Sequence, residues 1–368
     1  MSDTGKRKLR LALVFGGRSA EHAVSVSSAR SVIEALDPER FEVVPVGITR
    51  EGAWMLPRTS LLELSAPEGG LPEVEAGGTA IALRPEQRGG ALTLADGASG
   101  QLGEIDAVLP ILHGPYGEDG TVQGLFELAD LPYAGAGVLA SALAMDKSMA
   151  KVVLAQAGLA QGRYLVVREH EWRADRAGVA RRVAGDLAYP VFTKPARLGS
   201  SIGVSKVKST DELAAGLEAA FAHDAKVLVE QGVVARELEV GIIGNQTPEA
   251  SVVGEVIPGH EFYDFEAKYL DESSKLVIPA PVPSAVAERV RELAVSAFRA
   301  LDCEGFARVD FFYVDATAEL LVNEVNTIPG FTPKSMFPML WEASGVPYPQ
   351  LIAHLVDLAV ERHQAKKG

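Results

Sequence analysis

The chain has 368 residues, 47% of them hydrophobic and 23% charged, a composition typical of a soluble globular protein with two or three domains. Its formal net charge of −14 argues against a nucleic-acid binder, because such proteins normally present a basic face. Cys303 is the only cysteine, so no disulfide can form within the chain and a reducing compartment is compatible.

The chain opens with the pattern of a strand, a glycine turn and a helix. Residues 9–15 form an apolar run that is too short for a signal sequence or a membrane span and is typical of a buried strand. We therefore expect a cytoplasmic protein without a membrane partner. Apolar residues recur at helical steps after Gly16–Gly17, and a second strand pattern follows at 42–48, which predicts a βαβ unit and a parallel sheet. Glu21 lies in the first helical turn, where it either binds a ligand or interacts with the helix dipole.

Residues 57–103 are rich in Pro and Gly and contain only short β-like pieces, at 79–83 and 91–94. We interpret this segment as a variable decoration with little catalytic content. Another buried strand pattern follows at 105–112 and ends in a glycine-rich turn that begins at His113. Ligands bind at the carboxyl ends of strands in open parallel sheets, which favours a site role for His113 over a structural hydrogen bond to the turn.

The middle of the chain carries signals for handling phosphate. A helical stretch begins near Lys147, and a strand pattern at 190–195 contains Lys194. The following loop, 199–203, combines glycines with hydroxyls and can close over phosphates as a nucleotide lid, although no Walker motif is present. Two later acidic residues are interpreted either as acceptors for an adenine amino group and ribose hydroxyls or as edge-strand surface charges. These two residues are Glu230 and Glu237.

Two strand patterns near the carboxyl end, 308–314 and 320–326, are separated by a short polar break and predict a hairpin. Because side chains alternate along a strand, the polar residues of each run share one face. These residues are Arg308 and Asp310 on the first strand and Glu324 and Asn326 on the second. Oxygen ligands of this kind suit Mg²⁺ together with substrate phosphates, and an adjacent Arg offsets negative charge. The alternative is a polar, solvated sheet face.

Seven sequence blocks, in order along nearly the whole chain, resemble the D-alanine–D-alanine ligases of the ATP-grasp superfamily. They are GGRSAEHAVS at 16–25, HGPYGEDG at 113–120, MDK at 145–147, TKPARLGSSIGV at 193–204, FYDFEAKY at 262–269, RVD at 308–310 and NEVNTIPGFT at 323–332. The resemblance implies an α/β and α+β protein with the ATP-grasp fold. It implies an N-terminal parallel-sheet domain at 1–136, a central lobe at 137–234 and a C-terminal lobe at 235–368.

The resemblance also assigns roles to individual residues. ATP binding is implied for Lys147, Lys194, Ser201, Glu230 and Glu237, and two Mg²⁺ ions, with Mn²⁺ able to substitute, for Asp310, Glu324 and Asn326. A closing network is implied for Glu21, which holds the first D-alanine's ammonium, with Ser200 and Tyr269. Oxyanion stabilisation is implied for Arg308 and the backbone N–H of Gly330, and substrate binding for His113, Lys334 and Ser335. The serine loop and the loop 262–275 are the expected lids.

The implied reaction joins two D-alanines through a D-alanyl phosphate, releasing ADP and phosphate, for peptidoglycan precursor synthesis. Relatives that make D-alanyl-D-lactate or D-alanyl-D-serine share most ATP and metal residues, and Tyr269 resembles the dipeptide-forming type. A nucleotide-binding regulatory protein without chemistry is a further alternative, which the intact Asp310, Glu324 and Arg308 disfavour. The family is usually dimeric, so we expect a homodimer.

Overall fold

The computed structural model describes residues 7–58, 72–74, 77–83, 92–94, 103–259 and 274–367. Its strands form three sheets, which occupy successive parts of the chain. Within the described residues, no helix is long and apolar enough to cross a membrane. Tyr269 and most of the loop predicted at 262–275 lie outside the described residues.

The first sheet has six strands in the order β5-β4-β3-β2-β1-β6. The strands are β1 (Leu9–Gly16), β2 (Phe41–Ile48), β3 (Trp54–Leu56), β4 (Thr79–Leu83), β5 (Leu92–Leu94) and β6 (Ala107–Ile111). β1 pairs in parallel with both β2 and β6, and helix α1 (His22–Ala35) connects β1 to β2, which confirms the predicted βαβ unit. β3, β4 and β5 add antiparallel pairs, so the short β pieces predicted inside 57–103 extend this sheet.

The second sheet has four antiparallel strands in the order β7-β10-β8-β9. The strands are β7 (Tyr164–Arg168), β8 (Val191–Pro195), β9 (Ser205–Val207) and β10 (Lys226–Gln231). Side chains alternate along them, so Val227 and Val229 face a core that also contains Val183 and Leu217. The flanking helices are α5 (Glu169–Ala174), α6 (Arg176–Asp186) and α7 (Thr210–Phe221). The opposite face carries Lys194 and Glu230 beside the buried Leu228.

The third sheet has five antiparallel strands in the order β13-β12-β11-β14-β15. The strands are β11 (Arg236–Gly244), β12 (Glu249–Ile257), β13 (Lys275–Val277), β14 (Gly305–Val314) and β15 (Glu319–Asn326). β14 and β15 are the predicted hairpin. Helix α8 (Ser284–Ala300) packs on one face of this sheet.

The remaining helices connect the three sheets. They are α2 (Thr121–Leu128), α3 (Val138–Met145), α4 (Lys147–Gln156), α9 (Met336–Ala343) and α10 (Tyr348–Ala365). α3 and α4 contribute apolar residues to the core of the third sheet. α10 packs Leu351, Ile352 and Leu355 into the core beneath β1 and β6. The chain is thus mixed α/β and α+β, as expected.

Candidate active site

Glu21 lies where β1 ends and α1 begins, and its residue is only 7% exposed. Its side chain makes no capping hydrogen bond to the helix. The hydroxyl of Ser200 donates a hydrogen bond to Glu21 Oε1. This contact joins the first sheet to the loop that follows β8, which is the juxtaposition expected of a closing network.

The Ser200 loop has an unusual backbone. Ser200 and Ser201 have φ values of 48° and 58°, a left-handed conformation that L-residues rarely adopt. The loop is also tied to helix α4, because Lys147 Nζ donates to the carbonyl of Leu198 over 2.8 Å. Strained backbone of this kind clusters at ligand clamps, which supports the lid expected at 199–203.

His22, the residue after Glu21, is fully buried and bonded on both ring nitrogens. Nδ1–H donates to the carbonyl of Gly17 over 2.7 Å, and Nε2 accepts the backbone N–H of Val74 over 3.0 Å. Burial lowers the pKa of His22, which agrees with a neutral ring that accepts on Nε2. Val74 also packs close to Gly16, where an added Cβ would lie 2.8 Å from its side chain. Val74, inside the segment 57–103, therefore contacts His22 and Gly16, which lie on either side of Glu21 in the sequence.

His113 and Glu118 bind the backbone carbonyl and the backbone N–H of the same residue, Ile328, in the loop after β15. His113 Nδ1–H donates to the carbonyl of Ile328 over 3.0 Å, and Glu118 Oε1 accepts the N–H of Ile328 over 3.1 Å. Glu118 Oε2 accepts the N–H of Gly114 over 2.7 Å. Burial raises the pKa of Glu118 to about 8, and Glu21 adds to the rise. Burial likewise lowers the pKa of His113, although Glu21 opposes this. Glu118 is absent from the residues predicted as site members.

Ile328 leads into the segment that carries Gly330, Lys334 and Ser335. Ser335 precedes α9, and its Oγ lies 2.8 Å from Thr332 Oγ1. An added Cβ at Gly330 would lie 3.0 Å from Ser335 Oγ, so the two residues are neighbours. Lys334 is exposed. The structure thus brings Gly330 and Ser335 together and leaves Lys334 at the surface.

Glu230 lies between two lysines on the face of the second sheet that is opposite Val227 and Val229. Lys194 Nζ contacts Glu230 Oε2, and Lys151 Nζ lies 2.8 Å from Glu230 Oε1. Burial alone would raise the pKa of Glu230, but the two ammonium groups outweigh it and lower the pKa to about 2. Burial lowers and Glu230 raises the pKa of Lys194, and the net shift is upward. Lys151 is absent from the predicted site residues, although it follows Lys147 by one helical turn on α4.

The edge-strand interpretation of Glu230 and Glu237 is wrong. β10 lies between β7 and β8, and β11 lies between β12 and β14, so both acids are on interior strands. Glu230 is 7% exposed, and Glu237 is half-buried opposite Phe312 on β14.

The polar face of the β14–β15 hairpin is largely buried, so the solvated-face interpretation is wrong. Asp310 is 8% exposed and accepts two 2.7 Å hydrogen bonds from Arg308. Asn326 Nδ2 also donates to Asp310, over 2.9 Å. Glu239 on β11, absent from the predicted residues, lies 2.9 Å from Arg308. Burial opposes the charge of Arg308, but Asp310 and Glu239 raise its pKa well above the ordinary value.

A β-bulge sets the register of the polar face of this hairpin. Asp310 pairs with Glu324 and Arg308 with Asn326, whereas Phe311 pairs with Val322, which leaves Asn323 as the extra residue. Glu324 therefore stands directly opposite Asp310, and Lys147 Nζ lies 3.4 Å from its Oε2. Among the described residues, no group of three His, Cys, Asp or Glu side chains could hold a metal ion. The donor set is two carboxylates and one amide, which fits Mg²⁺ that takes its other ligands from substrate phosphates and water.

Two family models match most of the chain. A family model described as the D-ala D-ala ligase N-terminus matches residues 10–136, and one described as the C-terminus matches residues 153–357. The chain belongs to the D-alanine–D-alanine ligase family. It is 51% identical over 368 residues to a D-alanine–D-alanine ligase of Mycolicibacterium vanbaalenii, covering 96% of this chain and 98% of the relative.

Two solved structures share the fold along almost the whole chain. The D-alanine–D-alanine ligase from Coxiella burnetii superposes with a TM-score of 0.83 at 32% identity, covering 98% of this chain and 97% of the other. A D-Ala:D-Ser ligase from Enterococcus faecalis superposes with a TM-score of 0.81 at 33% identity, covering 96% and 100%. The fold is therefore the ATP-grasp fold of this family, and family membership implies use of ATP and dependence on a divalent metal.

Proposed function

We propose that this protein joins two D-alanines into D-alanyl-D-alanine with the cleavage of ATP to ADP and phosphate, for peptidoglycan precursor synthesis. The observation that carries the proposal is a continuous chain of contacts across the three sheets. Glu21 contacts Ser200, the Ser200 loop contacts Lys147, and Lys147 contacts Glu324 opposite Asp310. Groups suited to an ammonium, to phosphates and to a metal are therefore linked by one series of contacts.

In the first step, the carboxylate of one D-alanine attacks the γ-phosphorus of ATP, the bond to the β-bridging oxygen breaks, and ADP leaves. Glu21 binds the ammonium of this D-alanine and orients its carboxylate. The D-alanine carboxylate and the ATP phosphates repel each other. Lys147 and Lys194 must therefore offset the negative charge of the phosphates before the carboxylate can approach. We propose that Asp310, Glu324 and Asn326 would hold two Mg²⁺ ions, for which Mn²⁺ could substitute. When bound, these ions neutralise phosphate charge.

In the second step, the neutral amine of another D-alanine attacks the acyl carbon of the D-alanyl phosphate. The C–N bond forms, the bond from the acyl carbon to the phosphate oxygen breaks, and the proton that the amine loses passes to the departing phosphate or to water. The tetrahedral oxyanion needs donors, and we assign the Arg308 guanidinium and the Gly330 N–H to it. Contacts with Asp310 and Glu239 use Nε and Nη2 of Arg308, so we assign Nη1 to the oxyanion. Ser335, beside Gly330, binds the second carboxylate.

An acyl phosphate hydrolyses in water, so the site must close before it forms. We propose that the 199–203 loop closes through Ser200 and Glu21. The role of Tyr269 in the same network stays a prediction. The domain limits at 136 and 234, the homodimer and the cytoplasmic location also stay predictions.

The proposal is tested by measuring ADP release with ATP, Mg²⁺ and D-alanine, and by identifying the product by mass. D-serine and D-lactate are added as competing second substrates, because a D-Ala:D-Ser ligase shares the fold. We expect D-alanyl-D-alanine to predominate and its rate to rise with pH toward the amine pKa, whereas ester formation lacks this rise. No ADP release with any of the three acceptors would overturn the proposal, and predominant D-alanyl-D-serine would reassign the second substrate.

A further inference from the structure

Lys151 is a buried cation in direct contact with the residue proposed to bind adenine. Its Nζ lies 2.8 Å from Glu230 Oε1, and its side chain is 4% exposed. Lys194 contacts the other carboxylate oxygen of Glu230. Glu230 thus has two counter-charges, one on each oxygen, and the proposed function assigns no role to Lys151.

The position of Lys151 is fixed by its neighbours. It lies on α4, one turn after Lys147, and its carbonyl accepts a 2.9 Å hydrogen bond from Gln161 Nε2. Its Nζ lies 5.3 Å from the ring centroid of Tyr164. Tyr164 stands directly opposite Glu230 in the pairing of β7 with β10. Helix α4 and strand β7 therefore hold the ammonium group against the carboxylate.

The two lysines differ in what else they face. Lys194 is 19% exposed and is proposed to bind the ATP phosphates. It interacts electrostatically with Glu324 and Glu237 as well as with Glu230. Phosphates therefore compete with Glu230 for the charge of Lys194. Lys151 is almost completely enclosed, so its pairing with Glu230 persists when nucleotide binds.

We propose that Lys151 is a positioning residue that keeps Glu230 ionised and oriented, and thereby sets the preference for 6-amino over 6-oxo purine nucleotides. The inference rests on the proposed function, in which Glu230 accepts a hydrogen bond from the adenine amino group. An ionised carboxylate only accepts hydrogen bonds, and the 6-oxo group of ITP also only accepts them. Two acceptors facing each other in a buried site disfavour ITP. A Glu230 that loses Lys151 takes up a proton or turns away, and either change removes this discrimination.

The test substitutes Lys151→Met, which removes the charge and keeps a flexible chain of similar length. ADP release is measured with ATP and with ITP at saturating D-alanine. We expect kcat/KM for ATP to fall about tenfold to a hundredfold, chiefly through KM, because a charge-assisted hydrogen bond is lost. We expect kcat/KM for ITP to fall much less, so that the ATP-to-ITP ratio drops about tenfold or more. A merely structural role would lower both nucleotides equally and leave this ratio unchanged.

Three further variants sharpen the test. Lys208→Met, at an exposed lysine in the same lobe, should leave the ratio unchanged. Glu230→Gln should lower the ratio as Lys151→Met does, because an amide can donate to the 6-oxo group. The double variant Lys151→Met/Glu230→Gln should show no further loss, since Lys151 acts through Glu230. The double variant also contains no carboxylate at position 230 that would lack its Lys151 partner. It can therefore replace Lys151→Met in the test if that single variant does not fold.

The outcomes separate this inference from the proposed function. A parent enzyme that releases no ADP with D-alanine overturns the proposed function, and calorimetric binding of ATP and ITP to the same variants then tests Lys151 directly. A parent that is active and prefers ATP, beside a folded Lys151→Met that keeps the same preference, overturns the inference alone. A double variant whose ratio falls below that of either single variant overturns it too.

Discussion

Glu324 lies close to two predicted site residues, Asp310 and Lys147. It stands opposite Asp310 in the hairpin and 3.4 Å from Lys147 on α4. The 3.4 Å distance to Lys147 is longer than that of a good hydrogen bond, so this contact adds little to stability. We therefore expect this residue to matter for chemistry more than for folding.

We expect Glu324→Gln to lower ADP formation by at least about a hundredfold while the melting temperature changes little, because a carboxylate charge that would hold the metal ions is lost. Steady-state ADP release and thermal unfolding measure the two effects. Glu319→Gln, at an exposed position on the same strand, is the matched control and should behave as the parent. A folded Glu324→Gln enzyme with near-normal turnover would remove the metal assignment.

We expect the buried Glu118 to make the stability of the folded protein depend on pH. Burial raises its pKa from the ordinary value of 4.5 to about 8, so the folded state binds a proton that the unfolded state has released within this window. The free energy of unfolding contributed by Glu118 therefore falls as pH rises from about 4.5 to 8. Glu118→Gln removes this dependence.

We expect the stability advantage of the parent over Glu118→Gln to be largest near pH 5 and to shrink by up to a few kcal/mol toward pH 8.5. The measurement is urea unfolding of both proteins at several pH values between these limits. Glu42→Gln, at an exposed position on β2, controls for the loss of a surface charge. A gap between parent and Glu118→Gln that stays constant with pH would show that Glu118 is ionised throughout.

At the scale of elements, the sequence predicts much of the hairpin and less of its register. The alternation of side chains along a strand is enough to place Arg308 with Asp310, and Glu324 with Asn326. The bulge at Asn323, which sets these pairs opposite each other, has no separate sequence signal. Glu118 with Ile328, and His22 with Val74, join parts of the chain that are far apart, so a single sequence does not reveal these contacts. Lys151 could have been found from its helical spacing to Lys147.

The segment 57–103 yields a prediction at this scale. One variant replaces residues 77–100 with a short Gly/Ser linker and keeps Val74, whereas a second replaces residues 71–100. We expect the first to lose stability, because β4 and β5 leave the sheet, while the KM for D-alanine changes little. We expect the second to raise the KM for the first D-alanine roughly tenfold or more, because the His22 contact beside Glu21 is lost.

Melting temperatures of the two deletion variants measure the loss of stability, and D-alanine kinetics measure the change in KM. Equal KM values in both variants would show that Val74 does not position Glu21. Loss of activity in both, with intact folding, would give residues 77–100 a catalytic role that the structure does not explain.

At the scale of the whole molecule, α10 fastens the C-terminal part of the chain to the first sheet. Arg362 is 6% exposed; its Nη2 donates to the carbonyl of Tyr133 over 2.8 Å, and its Nη1 donates to that of Gly135. At the surface, Lys366 pairs with Glu127 and Lys367 with Asp130. The buried contacts and the surface ion pairs make separate contributions to the same junction.

We expect Arg362→Met to lower the free energy of unfolding by roughly 2–4 kcal/mol, because two buried carbonyls lose their donor. The double substitution Lys366→Ala/Lys367→Ala should cost less than about 1 kcal/mol, because exposed ion pairs contribute little. Chemical denaturation of the three proteins measures both effects. Equal losses in the two variants would contradict this division.

The packing of α10 beneath β1 also bears on how the protein is made. Strands β1, β2 and β6 leave the ribosome early, but Leu351, Ile352 and Leu355, which cover their core, leave it much later. The first sheet to be synthesised thus has an exposed apolar face during most of translation, although domains generally fold as they emerge. We expect this nascent face to attract chaperones and to make chains interrupted before residue 348 prone to aggregation.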